Sequence, residues 1–180
     1  MTGRVTTLIL PGIGNSGPGH WQSRWLALHH DFHRVQQADW DHPDLDAWCR
    51  NLELAVHDAP TPVVLVAHSL GCLLAVHWEL RTQLLVRGAL LVAPPDPASP
   101  AFPPEAAGFG PVPLRRLPFP SILVTSSNDP YGTPEFAQRC AAAWGSRLFE
   151  AGPFGHINAA SGLNEWEQGV KIYEELLRCI

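Results

Sequence analysis

Lysine is almost missing from this chain: of its twelve basic residues, eleven are arginine and only Lys171 is lysine. That excludes chemistry needing a Schiff-base or phosphate-gripping lysine anywhere else. Charge of either sign is scarce, at 16% of residues, where globular proteins usually carry about a quarter. The balance of 17 acidic against 12 basic residues leaves a net charge of −5, with no basic cluster beyond Arg115-Arg116. A nucleic-acid binder needs a basic patch, so no nucleic-acid partner is expected. The four cysteines, Cys49, Cys72, Cys140 and Cys179, form no C-x-x-C or zinc-type spacing, so neither a metal centre nor a thioredoxin-like site is expected. Scattered thiols of this kind fit a reducing compartment. Long apolar runs are missing too, the longest being about five residues where a membrane span needs about 20. The apolar stretch behind Met1-Thr2-Gly3-Arg4 stops at Pro11-Gly12, too early for a secretory segment. A cytoplasmic protein without a membrane partner is the expectation.

What is present is a chain of 180 residues, 46% of them hydrophobic, which suits one domain over residues 1–180. Short apolar runs alternate with helical patterns, the signature of an α/β fold on a mostly parallel sheet with helices on both faces. Strands are expected at Val5–Leu10, more weakly at His33–Gln37, then at Val63–Ala67, Ala89–Ala93, Ile122–Thr125 and Leu148–Glu150. Between them the spacing predicts helices over Trp21–Leu28, from Pro43-Asp44 through Val56, and over Leu70–Leu80. Thr133-Pro134 opens another and Gly145 closes it. Glu165–Cys179 is the last, with Trp166, Val170, Tyr173 and Leu177 on one face. Ten of the eighteen prolines fall between residues 94 and 120, which reads as a stiffened surface loop. The tryptophans Trp21, Trp25, Trp40 and Trp48 read as core packing, some of them as walls of a crevice. No internal repeat and no domain boundary is visible.

Chemistry concentrates at Ala67-His68-Ser69-Leu70-Gly71, at the end of a β-branched strand and the start of a helix. This is the nucleophile-elbow pattern G-x-S-x-G with alanine at the first glycine. The competing reading is a turn in which Ser69 only caps the helix. A serine hydroxyl is a weak nucleophile near pH 7, so catalysis requires a base and an orienting acid, in the chain order Ser, acid, His. His156, in Gly155-His156-Ile157-Asn158, is the base candidate, because His77 lies on the elbow's own helix and the side chain of His68 points away from the tip. Asp129 is the acid candidate, its direction restricted by Pro130, and Asp96 after the preceding strand is its rival. The oxyanion hole is expected from the backbone N–H groups of Leu70 and Ile13. With the strand order 2-1-3-4-5-6, the Pro11–Asn15 loop and Ser69 face each other at the switch point of the sheet.

Five segments in order carry a resemblance. They are Leu10-Pro11-Gly12-x-Gly14-Asn15-Ser16; Asp39-Trp40-x-x-Pro43 with Trp48; Ala67-His68-Ser69-Leu70-Gly71; Ser127-Asn128-Asp129-Pro130-Tyr131; and Gly155-His156-Ile157-Asn158 with Ser161-Gly162 and Trp166. Together they resemble the small α/β-hydrolase family that contains bacterial YdeN and the retinoblastoma-binding serine hydrolase, over nearly the whole chain. The resemblance implies a trimmed, lidless hydrolase fold of about six strands with a Ser-His-Asp triad at Ser69, His156 and Asp129. Two segments depart from the family. Ser161-Gly162-Leu163-Asn164 stands where the family often has Ser-Gly-x-Gly. Leu70-Gly71-Cys72-Leu73-Leu74 ends in leucine where the pocket-protein pattern L-x-C-x-E needs glutamate, so that binding is not carried over.

Two rival classes remain alongside. Gly12-x-Gly14-x-x-Gly17 with Asp39 matches a dinucleotide fingerprint and hence an NAD(P)-dependent oxidoreductase, but Gly17 is followed by Pro18-Gly19 where a helix should open. A degenerate hydrolase serving as an interaction module is the other. His29 and His33 make a metal pair only if they share a helix, and no metal is expected. The reading favoured is a monomeric serine hydrolase, without cofactor, that cleaves small carboxylic esters of short or medium acyl chain through an acyl-enzyme.

Overall fold

The apolar runs of the chain form six strands: β1 (Thr6–Leu10), β2 (Phe32–Arg34), β3 (Val63–His68), β4 (Gly88–Val92), β5 (Ser121–Thr125) and β6 (Arg147–Glu150). The computed structural model describes residues 4–180, so Met1, Thr2 and Gly3, the start of the lead-in to β1, lie outside the described residues. The strands make one parallel sheet in the order β2-β1-β3-β4-β5-β6, the order expected. Burial of every residue in β1, β3, β4 and β5 explains why these strands read as continuous apolar runs instead of alternating ones.

Five helices cover the sheet: α1 (Trp21–Leu28), α2 (Leu45–His57), α3 (Leu70–Glu79), α4 (Pro134–Trp144) and α5 (Glu167–Arg178). Side chains that alternate along the strands sort onto two cores. Leu8, Leu65, Ala67, Leu91 and Leu123 pack with α2, α3 and α4 on one face. Ile9, Val64, Val66, Leu90 and Val124 pack with α1 and α5 on the other. The helix ends follow local chemistry. Asp44 caps α2 by accepting from the Ala47 N–H. Thr133 caps α4, and Gly145 ends it at φ 72°. No helix among the described residues is long and apolar enough to cross a membrane.

Most elements fall within one residue of expectation at each end, and three differ by more. The second strand is Phe32–Arg34 rather than His33–Gln37. It starts early because Phe32 joins the core beside Trp25 and Tyr173. It stops early because, after the Val35 N–H bonds to the Ile9 carbonyl, Gln37 is drawn inward by Asn51. The last helix begins at Glu167, since Trp166 holds a left-handed backbone (φ 48°, ψ 67°) and lies beneath the helix. Its buried line is therefore Gly169, Ile172, Tyr173 and Leu176, with Val170 and Leu177 only half-buried. The proline-rich segment is more than a surface loop. It winds into a 3-10 helix, Pro104–Phe109, whose Ala106 and Phe109 are fully buried. Phe109 packs edge-on to Trp48, and its carbonyl accepts from His77 Nε2 at 2.8 Å.

The indole of Trp166 makes Gly169 irreplaceable, because a Cβ there would lie 2.1 Å from the ring, and the ring is itself wedged against Trp21 and Trp25. Alanine gains about 1 kcal/mol of helix propensity over glycine, but overpacking a filled core costs about 1–3 kcal/mol and a rigid ring gives little way. We expect Gly169→Ala to destabilise the protein by about 1–2 kcal/mol net, measured as a lowered denaturant midpoint at unchanged slope. A midpoint at or above wild type would show that the ring moves freely.

Candidate active site

Ser69 sits at the carboxyl end of β3 with φ 55° and ψ −125°, a region a side-chain-bearing residue enters only at a cost of about 1–3 kcal/mol. Its neighbours hold it there. The Ser69 N–H donates to the Val92 carbonyl on β4 at 2.9 Å, and the first turn of α3 presses on the end of β1. A Cβ on Gly71 would lie 2.2 Å from the Leu10 oxygen, and one on Gly12 would lie 2.9 Å from the Ser69 Cβ. Ala67, in place of the first glycine of the pattern, fits fully buried. Ser69 makes no side-chain cap to α3, so its hydroxyl is not consumed by the helix.

That hydroxyl lies 2.7 Å from His156 Nε2. His156 Nδ1 lies 2.9 Å from each carboxylate oxygen of Asp129. The carboxylate is almost wholly buried, with 1% of its side chain exposed against 10% for His156. One of its oxygens also accepts from the Tyr131 N–H at 2.9 Å, which turns the chain at Pro130. The expected residues thus meet, with Asp129 after β5 and His156 after the adjacent β6. Asp96 is elsewhere. Its carboxylate accepts from the Ala98 N–H, and it lines a separate pocket beside Arg139. Ile13 and Leu70 both border the pocket at Ser69, and neither N–H donates to another protein group among the described residues.

The base loop is fastened by side chains that sequence alone left unassigned. Asn128 Oδ1 accepts from the Gly155 N–H at 2.7 Å, and Ser126 Oγ accepts from the Phe154 N–H at 3.0 Å. Trp21 Nε1–H donates to the Ile157 carbonyl at 2.9 Å. Ser161 Oγ–H donates to the Phe154 carbonyl. His68 is more than packing: its ring does turn away from the serine, and its Nε2–H donates to the carbonyl of His156 itself at 2.9 Å. The one available signal was the recurrence of small polar residues around Asp129 and His156. Behind the loop, Asn164, where the family resembled in sequence often has a second glycine, takes φ 52°, a left-handed conformation that asparagine tolerates better than most residues.

The pocket over Ser69 has a volume of about 410 Å³. Phe102, Pro103 and Ala106 of the proline-rich segment form one wall, while Asn15, His20 and Asn158 belong to another. None of the tryptophans lines it. The glycine loop does not run into a helix at Gly17, since α1 starts at Trp21 behind a His20 cap, and Asp39 closes a turn by accepting from the Asp41 and His42 N–H groups. His29 ends α1 while His33 is in β2, so the two share no helical face.

A model of the serine hydrolase family matches residues 7–175. Among solved structures, a YdeN-like hydrolase from Pectobacterium atrosepticum is 32% identical, with a TM-score of 0.88 over 98% of this chain and 92% of that one. The YdeN gene product of B. subtilis is 19% identical, with a TM-score of 0.75 over 98% of this chain and 100% of that one. A hydrolase from Oleispira antarctica is 14% identical, with a TM-score of 0.69 over 98% and 92%. No curated protein matches the chain in sequence.

Three imidazoles crowd the site: the His68 ring lies 4.6 Å from that of His20 and 5.0 Å from that of His156. Burial, reinforced by the neighbouring imidazoles, lowers His20 to about 4 and His68 well below the usual 6.5. Both are therefore neutral in the folded protein near pH 7. An unfolded chain takes up their protons first, so stability is full above pH 6.5 and is lost as pH falls from 6.5 toward 4. For His20 alone the loss amounts to about 3 kcal/mol. We expect chemical denaturation at pH 4.5 to show a markedly lower stability than at pH 7.5. His20→Asn, which keeps a cap acceptor for the Gln22 N–H, should narrow that gap by about 2 kcal/mol or more; an unchanged gap would place the proton uptake elsewhere.

Proposed function

The chain belongs to the serine hydrolase family, and from that footing we propose that it cleaves carboxylic esters of short or medium acyl chain through a Ser69-His156-Asp129 triad. The observation that carries this reading is the unbroken line from Ser69 Oγ through both ring nitrogens of His156 to the Asp129 carboxylate, with contacts of 2.7 and 2.9 Å, opening on a pocket.

The chemistry follows from those contacts. Asp129 accepts from Nδ1–H and so leaves Nε2 as the basic nitrogen facing Ser69. As Ser69 Oγ attacks the ester carbonyl, its proton passes to Nε2. The carbonyl oxygen becomes an oxyanion, which the N–H groups of Ile13 and Leu70 stabilise, each worth about 3–4 kcal/mol in the transition state. The imidazolium, offset by the Asp129 charge, returns its proton to the departing alkoxide, leaving an acyl-enzyme. Water, deprotonated by the same nitrogen, then releases the acid and restores Ser69. The strained elbow supports this role, since it presents Oγ without a competing hydrogen bond to the helix. The modest pocket supports small acyl groups over long lipids.

A fluorophosphonate probe is expected to add once, at Ser69, as shown by intact mass and peptide mapping; an adduct at Ser127 or Ser161, or none, would overturn the assignment. Asp129→Asn should lower turnover of a nitrophenyl ester by about 10⁴-fold, with Asp96→Asn staying within about tenfold and circular dichroism checking the fold. The reverse ranking would move the acid to Asp96.

A further inference from the structure

The two walls of the Ser69 pocket differ in kind. Phe102, Pro103 and Ala106 present carbon, whereas the wall built by the loops after β1 and β6 adds polar side chains to Gly12, Ile13, Ala159 and Ala160. These two loops meet at Gly19 and Ala159, where a Cβ on the glycine would lie 3.9 Å from that of the alanine. Three polar side chains of this wall border the pocket: Asn15, His20 and Asn158.

Each has its acceptor atom occupied. Asn15 Oδ1 accepts from the Ser16 N–H at 2.7 Å and from Arg34 Nη1 at 3.0 Å. Asn158 Oδ1 accepts from the Ala160 N–H at 3.0 Å. His20 Nδ1 accepts from the Gln22 N–H at 3.1 Å, so the neutral ring carries its proton on Nε2. What remains on each is a donor: two amide NH₂ groups and one imidazole N–H, none with a protein acceptor among the described residues. His20 Nε2 is in addition buried without a partner, a condition native proteins rarely leave unfilled.

No carboxylate borders the pocket among the described residues. Behind Asn15 stands Arg34, half-buried, its Nη2 donating to Ser23 Oγ at 2.6 Å. It has no carboxylate within ion-pair distance among the described residues. A wall of donors backed by an uncompensated cation complements a group that only accepts hydrogen bonds and carries negative charge.

We propose that this wall is a subsite for a carboxylate borne by the ester substrate on its acyl or its alcohol half, bound by Asn15, Asn158 and His20 with Arg34 supplying the opposing charge. The inference rests on the ester-hydrolase reading of Ser69 and narrows its substrate class to half-esters and carboxylated esters. The apolar wall then takes the remainder of the substrate, so the two walls sort its two ends.

The test uses the full chain with three esters: methyl butyrate as the neutral reference, monomethyl succinate with the carboxylate on the acyl half, and O-butyryl glycolate with it on the alcohol half. At least one carboxylated ester should exceed the reference in kcat/KM by about tenfold or more. That ratio should fall by about fivefold or more in Asn158→Leu, Asn15→Leu and Arg34→Gln. It should also shrink as salt rises from about 0.01 M to about 1 M. Calorimetric titration of Ser69→Ala with the same esters reads binding without turnover, and the favoured ester should bind more tightly than methyl butyrate. If all three esters are cleaved alike, with turnover abolished in Ser69→Ala, the subsite is refuted and the hydrolase reading stands. If Ser69→Ala still turns the esters over, the reading beneath it fails and the subsite falls with it. Equal binding of all three esters to Ser69→Ala also refutes the subsite.

Discussion

The contact between the first turn of α3 and the end of β1, where Gly71 leaves no room for a side chain against the Leu10 carbonyl, is the constraint on which the site depends. It forces the chain to turn sharply between strand and helix, and Ser69 takes the positive φ that the turn requires. It also brings the loop after β1 against the serine, so that Gly12 touches Ser69 and Ile13 and Leu70 border one pocket. A helix packed even slightly further from β1 would relax the elbow and part Ile13 from Leu70. The backbone of Ser69 and the border of the pocket beside it are therefore set by one steric fact.

The second arm of the site is built by different means. His156 lies in a loop with little regular structure, and loops of that kind wander unless their polar backbone groups are bound. Here most of those near the imidazole are. Asn128 and Ser126 take the N–H groups on the side of the acid, while His68 and Trp21 take the carbonyls of residues 156 and 157. The Asp129 loop and the His156 loop are thereby tied together, which holds the Nδ1 contact with Asp129 at 2.9 Å without any helix or strand at His156.

Much of this was legible in the sequence. Strand order, both helix faces and the three residues that meet at Ser69 followed from apolar runs, the elbow pattern and the single downstream histidine loop, because each is written in a local motif. The second strand was misplaced by one residue at its start and three at its end, since an edge strand's length depends on what its neighbours pull inward. Trp166 was assigned to a helix face because spacing cannot reveal a left-handed residue. The role of the proline-rich segment was hidden for a similar reason: nothing local says that Ala106 and Phe109 will be buried by Trp48 and α3. His68 was judged by its proximity to the serine, when its partner is a carbonyl 88 residues away.

The crowding of His20, His68 and His156 has a consequence for where a proton can travel. Two of the three rings resist protonation; His20 Nδ1 and His68 Nε2 are engaged by backbone, and His20 Nε2 is buried. In the proposed cycle a proton lifted from Ser69 onto His156 therefore finds no acceptor in either neighbouring imidazole. The neutral pair acts as electrical insulation around a live contact, confining the proton to the short shuttle between serine, imidazole and leaving group.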